Sequence, residues 1–170
     1  MGINGLTKFL KRYAPNSLKE VDSESLANTK IAFDTSILLY QFVIAIRSTS
    51  NDIVDENGNS TSHIHASIMK TKSFLNKKIC PIFVFDEKPP AIKLDTLDKR
   101  SKIRNEAKNA LSEKNLSEED KIKFLKQSVR ISGSQMEECK KILRLMGIPV
   151  IESAEEADSQ CAYLSKNGYV

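Results

Sequence analysis

Hydrophobic positions along this chain alternate between two rhythms. Ile3, Leu6, Phe9, Leu10 and Tyr13 recur at helical spacing and stop at Pro15, which predicts a short amphipathic helix near the start. Lys30-Ile31-Ala32-Phe33-Asp34 is a brief apolar run closed by a carboxylate, and Leu39, Phe42, Val43 and Ile46 then restore the helical period. The order is strand, aspartate, helix. Asn57-Gly58 marks a turn, residues 61–77 read as a helix, and residues 79–85 form a second apolar strand that again ends in an aspartate, Asp86. Beyond Pro89-Pro90, residues 91–131 are charged, poor in glycine and helical, with Ser117-Glu-Glu-Asp120 as a helix start. Such a stretch reads as an insertion.

The alternation then resumes. Ser134-Gln-Met-Glu137 has the form of a capping box for a helix through Leu143 and Leu145, with Gly147 as its stop. A third strand over residues 148–151 leads into the acidic residues Glu152, Glu155, Glu156 and Asp158, and a last helix runs to about Lys166 with Gly168 as its cap. Tyr169 and Val170 are expected to begin a fourth strand. The fold class is therefore α/β, with a mainly parallel central sheet flanked by helices and a sheet expected to be incomplete. In such folds ligands bind at the carboxyl ends of the strands, which is where Asp34, Asp86 and the acidic cluster fall.

Composition narrows the class further. With 170 residues, 40% hydrophobic and 28% charged, the chain suits one globular domain carrying an insertion and excludes collagenous, mucin-like and membrane-spanning classes. Three widely spaced cysteines, Cys80, Cys139 and Cys161, show no zinc or redox spacing and fit a reducing compartment. No apolar run near the start is long enough for a signal peptide, and Leu6 stands where N-myristoylation needs Ser or Thr. The expected location is intracellular, nuclear in a eukaryote, with no membrane partner.

Two features point to chemistry. Carboxylates converging at one sheet edge repel each other unless a cation neutralises them, and hard oxygen donors suit Mg²⁺ or Mn²⁺. Such a metal can generate hydroxide from water and offset charge on a phosphoryl transition state, without a Ser, Cys or His nucleophile. The competing reading of an aspartate after a strand is a helix N-cap. The second feature is charge: residues 88–108 hold seven bases against three acids, a local excess equal to the +4 of the whole chain. Lys93 and Arg100 are seven residues apart and so share a helix face roughly 10 Å apart, with Arg104 one turn on. That arrangement suits phosphates, although a charge run also serves as a solvated face. His63 and His65, two apart, face different directions and read as structural. Met69, Met136 and Met146 read as core fillers, and Tyr13 and Tyr163 as partly buried packing residues. Tyr40, six residues past Asp34, is either a base-stacking aromatic or a core residue.

The sequence resembles the flap endonucleases among structure-specific 5′ nucleases, in their N-terminal half. The resemblance rests on Met1-Gly-Ile-Asn-Gly-Leu6, Ile31-Ala-Phe-Asp34, Tyr40-Gln-Phe-Val-Ile-Ala-Ile-Arg47, Thr61-Ser-His63, Val84-Phe-Asp-Glu-Lys-Pro-Pro90 and Glu138-Cys-Lys-Lys-Ile-Leu-Arg-Leu-Met-Gly-Ile-Pro149, in order and spacing. It implies a 5′-nuclease, PIN-like fold with residues 1–90 as N-terminal nuclease region, 91–131 as a basic helical arch, and 132–170 as the start of the internal nuclease region. It implies Mg²⁺-dependent phosphodiester hydrolysis at 5′ flaps or junctions in DNA, in replication and repair. Asp34, Asp86, Glu156 and Asp158 match metal-site positions. Lys93 and Arg100 match the basic pair that steadies the scissile phosphate, while Gly2, Tyr40, Arg47, Lys70 and Arg104 match DNA-contacting positions.

The family's later aspartates, which complete a second metal site, and its sliding-clamp tail correspond to positions beyond residue 170. The resemblance thus implies an incomplete two-metal site in this chain and a complementing C-terminal fragment as a partner. Asp158 stands where the family has Glu, one methylene shorter, a difference of about 1 Å at a ligand. Glu87 replaces the usual Gly after Asp86, which adds charge and predicts an altered backbone there. The alternative is a non-catalytic, DNA-binding or regulatory remnant of such a nuclease. A third option, a small RNA-directed nuclease, fits the carboxylates but leaves the arch unexplained.

Overall fold

The computed structural model describes residues 5–49, 52–87, 93–112 and 116–170. Its elements run α1 (Leu6–Tyr13), β1 (Lys30–Asp34), α2 (Thr35–Thr49), α3 (Ser62–Asn76), β2 (Cys80–Phe85), α4 (Leu94–Ala110), α5 (Glu118–Ser128), α6 (Gly133–Leu145), β3 (Val150–Glu152) and α7 (Ala157–Lys166), with short 3₁₀ turns at Pro15–Ser17 and Ser23–Leu26. The three strands form one parallel sheet in the order β1-β2-β3. Asp34 pairs with Val84, and Phe85 with Glu152, so the strands finish side by side. Parallel pairing needs crossovers, here α2 with α3 and then α4 to α6.

Side-chain alternation along β2 divides the core. Phe83 and Phe85 join Leu39 and Val43 of α2, Ala66 and Phe74 of α3, and Cys139 and Leu143 of α6 in the larger apolar cluster. Val84 faces the other way, onto Ala157 and Leu164 of α7. The rings of Phe33 and Phe74 stack at 4.2 Å. Val129 and Ile131, which follow α5, also sit in the larger cluster and anchor the helical insertion to the body. None of the described helices is long and apolar enough to cross a membrane.

Several local expectations are corrected. The capping box of α6 lies two residues upstream of the expected one: Ser132 Oγ accepts from Gln135 N–H while Gln135 Oε1 accepts from Ser132 N–H. Glu137 is instead paired with Lys140. Strand β3 begins at Val150 rather than at residue 148 and runs on to Glu152. Ile148 N–H is committed to the end of α6, where it reaches Leu143 O while Gly147 N–H, at φ 73°, reaches Arg144 O. No fourth strand starts at Tyr169, whose N–H closes the end of α7 on Leu164 O. Tyr13, Tyr163, Met69 and Met146 are exposed, not core residues, whereas Met136 packs on the larger cluster.

Candidate active site: a carboxylate cleft under a cationic helix

At the carboxyl ends of the strands lies a cleft of about 380 Å³. Asp34, Asp86, Glu155, Glu156 and Asp158 bring carboxylates to it, Ser36 a hydroxyl, and Lys93 and Arg100 cations, with Ile37 and Leu97 as apolar wall. All four sequence-nominated metal residues and both nominated catalytic cations therefore meet in one place. Lys93, Leu97 and Arg100 share one face because residues four and seven apart on a helix do.

The capping reading holds for Asp34 at the helix that follows it, while Asp86 serves the N-terminus of a distant helix instead. Asp34 ends β1 and accepts from Ile37 N–H at 3.2 Å, as an N-cap of α2 does. Asp86 Oδ1 accepts from Ala157 N–H at 2.8 Å, capping α7 across the sheet, and Asp86 Oδ2 accepts from Ser36 Oγ at 2.7 Å. These bonds fix both carboxylates as floor of the cleft. Ser36 was not a sequence candidate; a small hydroxyl two residues past a strand-terminal aspartate is the signal that would have pointed to it. The segment after β3 is fixed too: Ser153 N–H and Oγ both donate to Phe85 O at 2.9 Å, and Glu87 N–H donates to Glu155 O at 3.2 Å. Glu87 takes this role without a left-handed backbone.

The field in the cleft is negative. Burial, and then the charges of Asp86 and Asp158, push the Asp34 carboxyl above its ordinary value against the pull of the Ile37 N–H. Burial together with Asp34, Asp158 and Asp86 pushes the nearby Cys161 thiol up to about 11. Lys93 Nζ forms an ion pair with Glu156, and Arg100 lies exposed at the rim. The donor set is oxygen only, carboxylates and a hydroxyl, which fits a hard divalent cation rather than zinc or copper. Among the described residues, no group of three or more carboxylate, imidazole or thiol side chains is arranged to hold a metal ion. One of the four nominated carboxylates, Glu156, is already paired with the Lys93 ammonium.

The nominated DNA contacts fall elsewhere. Tyr40 is half-buried against the larger core cluster, the core alternative of its two readings. Arg47, at the end of α2, is tied to Asp52 Oδ2 at 2.7 Å and to Ser60 Oγ at 3.4 Å. The Lys70 ammonium lies 4.9 Å from the Phe42 ring centre and 4.8 Å from that of Phe74. Arg104 is half-buried on α4 and does not line the cleft, and Gly2 lies outside the described residues. Buried His63 bonds Glu138 through Nε2 at 2.6 Å, joining α3 to α6, while His65 is exposed.

A parallel sheet with acidic strand ends beneath a basic helix is the 5′-nuclease fold, and comparison with known proteins makes the class specific. The family model described as the XPG N-terminal domain matches residues 1–107, and the chain belongs to that family. It is 48% identical over 169 residues to the flap endonuclease 1 of Theileria parva, covering 96% of this chain and 34% of that protein. Among solved structures it resembles the catalytic core of Rad2 in complex with DNA substrate, with a TM-score of 0.64, 28% identity, and coverage of 99% of this chain and 44% of that one. It also resembles flap endonuclease-1 from Methanococcus jannaschii, with a TM-score of 0.62, 32% identity, and coverage of 89% and 49%. The chain thus spans a third to a half of the length of these relatives.

Proposed function

We propose that this chain carries the cation-binding nuclease portion of a structure-specific 5′ flap endonuclease, which hydrolyses a phosphodiester bond in DNA at flaps or junctions with Mg²⁺, or Mn²⁺ in its place. The observation that carries this reading is the meeting of Asp34, Asp86, Glu156 and Asp158 in one cleft facing Lys93 and Arg100. When bound, the divalent ion supplies Lewis-acid charge against a phosphoryl oxygen and makes water a competent nucleophile near neutral pH. Asp34, Asp86, Glu156 and Asp158 are the residues that would hold it, Glu156 being the one paired with Lys93. Lys93 and Arg100 bind the phosphate on either side of the scissile bond and stabilise its developing charge. Ser36 and the Ala157 N–H orient Asp86 so that its charge faces the cleft.

The proposed division is residues 1–90 and 132–170 as nuclease body and 91–131 as the arch that meets the flap, and the proposed setting is intracellular. Tyr40, Arg47, Lys70, Arg104 and Gly2 remain proposed DNA contacts, of which Arg47 must exchange its Asp52 partner for phosphate. A second reading, DNA binding without cutting, is favoured by the Lys93–Glu156 pair, which already neutralises one carboxylate.

A 5′-flap cleavage assay with Mg²⁺, run beside a DNA-binding titration over salt, separates the two. Metal-dependent cutting that Asp86→Asn reduces to background, with DNA affinity retained, is the expected result. Asparagine keeps an acceptor for Ala157 N–H, so loss of activity then reports loss of charge. Unchanged turnover in that variant would remove Asp86 from the mechanism, and binding without cutting in the parent would favour the second reading.

A further inference from the structure

We propose that Lys140 of α6 is a positioning residue for the carboxylate cleft, holding the end of β3 against the end of β2 so that the acidic segment after β3 reaches Asp86. This rests on the cleft being a cation site, as proposed for the function.

Lys140 is 6% exposed, an unusual place for an ammonium, which is costly to bury unless it is paired. Its Nζ reaches Glu152 Oε2 at 2.8 Å and Glu137 Oε1 at 2.7 Å. Arg144, one helical turn further along α6, reaches the other oxygen of Glu152 at 2.5 Å. Glu152 is the last residue of β3, so two cations of one helix face grip that strand at its end. The same ammonium lies 5.6 Å from the centre of the Phe85 ring, and Phe85 directly precedes Asp86.

Lys140 therefore lies against the final residues of β2 and β3, two of the three strands whose ends build the cleft. From Glu152 onward the chain is stitched to β2 step by step: Ser153 to Phe85, Glu155 to Glu87, and Ala157 to the Asp86 carboxylate itself. A shift of Glu152 would pass along these bonds to Glu155, Glu156 and Asp158. Glu137, the third partner, stands largely exposed on α6 and reaches neither strand, which makes it the natural control.

Mn²⁺ affinity, read by the electron paramagnetic resonance of the free ion, tests this without recourse to activity, with circular dichroism as the check on folding. Lys140→Met keeps the apolar stem over Phe85 and removes the charge. Through-space electrostatics alone predicts tighter cation binding when a nearby positive charge is deleted. Positioning predicts the opposite sign, a loss of about tenfold, as when an outer partner of a metal ligand is removed. Lys140→Arg is expected to restore most of it, and Glu137→Gln to leave affinity at the parental value. A folded Lys140→Met that binds Mn²⁺ as tightly as the parent or more so would overturn the proposal, as would an equal loss in Glu137→Gln. Should Lys140→Met fail to fold, Lys140→Gln, which keeps a polar head but removes the charge and is too short to span to Glu152, carries the same expected loss. A parent chain that binds no Mn²⁺ would sink the cation-site reading itself and the proposal with it, whereas parental binding with unaltered Lys140 variants would sink the proposal alone.

Discussion

Asp34 and Asp86 each do two things at once. Their backbone and hydroxyl partners make them caps, and the caps are what aim them into the cleft. From sequence alone the two readings compete, because spacing along the chain cannot show that Asp86 caps a helix starting 71 residues later. Asp52 presents the reverse case, an acid with a structural task and no place in the cleft. Burial acts to raise its pKa, but hydrogen bonds from Ser62, Ser60 and Arg47 outweigh that and hold it below the ordinary 3.8. A depressed folded pKa means that ionised Asp52 stabilises the fold above pH 3.8, a contribution lost as pH falls through the lower folded value. Thermal melts from about pH 6 down to about pH 3 should therefore show Asp52→Asn less stable than the parent at the upper end, with the difference shrinking as pH falls below 3.8. Parallel curves would contradict the assignment.

At the scale of elements, α3 and α6 each enter a strand through the same C-terminal motif, with Lys78 in the left-handed position at φ 58° after α3 and Gly147 at φ 73° after α6. A lysine there is strained where glycine is not, so Lys78→Gly should raise stability by about 0.5–1 kcal/mol in denaturant melts. Ser132→Ala removes one half of the α6 capping box and should cost about 1 kcal/mol, whereas Ser134→Ala, at the position favoured by pattern, should cost much less. The strands, their order along the chain and most helices are legible in the sequence because apolar periodicity reports burial directly. What pattern could not resolve is competition between neighbouring polar residues. Ser132 with Gln135, and Ser134 with Glu137, are equivalent on paper; in the fold Glu137 is drawn to Lys140 and Ser134 Oγ bonds Ser132 Oγ, while Ser132 and Gln135 form the box. Exposure of Tyr13, Met69 and Tyr163 was equally hidden, since a helical period shows a face and not what covers it.

Across the whole molecule, the sheet gathers acids at one edge and α4 lays cations over them, a division of charge that net composition barely registers. The four nominated carboxylates were legible as strand-end acids, and their meeting follows from parallel pairing; the Lys93–Glu156 pair was not, because it joins elements far apart in sequence, and neither was the grip of α6 on Glu152, because pattern does not show which of several nearby charges a lysine or arginine will meet. If Lys93 and Arg100 each neutralise a phosphate, replacing both by alanine should lower the slope of log affinity against log salt by about 0.9 for every phosphate no longer neutralised. An unchanged slope would leave α4 as a solvated face.

The central claim is that these carboxylates together hold a divalent cation. Its most direct test is an anomalous difference map from crystals of the protein containing Mn²⁺. The predicted result is a peak in the cleft between Asp34, Asp86 and Asp158, with Lys93 withdrawn from Glu156; an ordered cleft without such a peak, Lys93 still on Glu156 and the ion bound elsewhere, would contradict the claim.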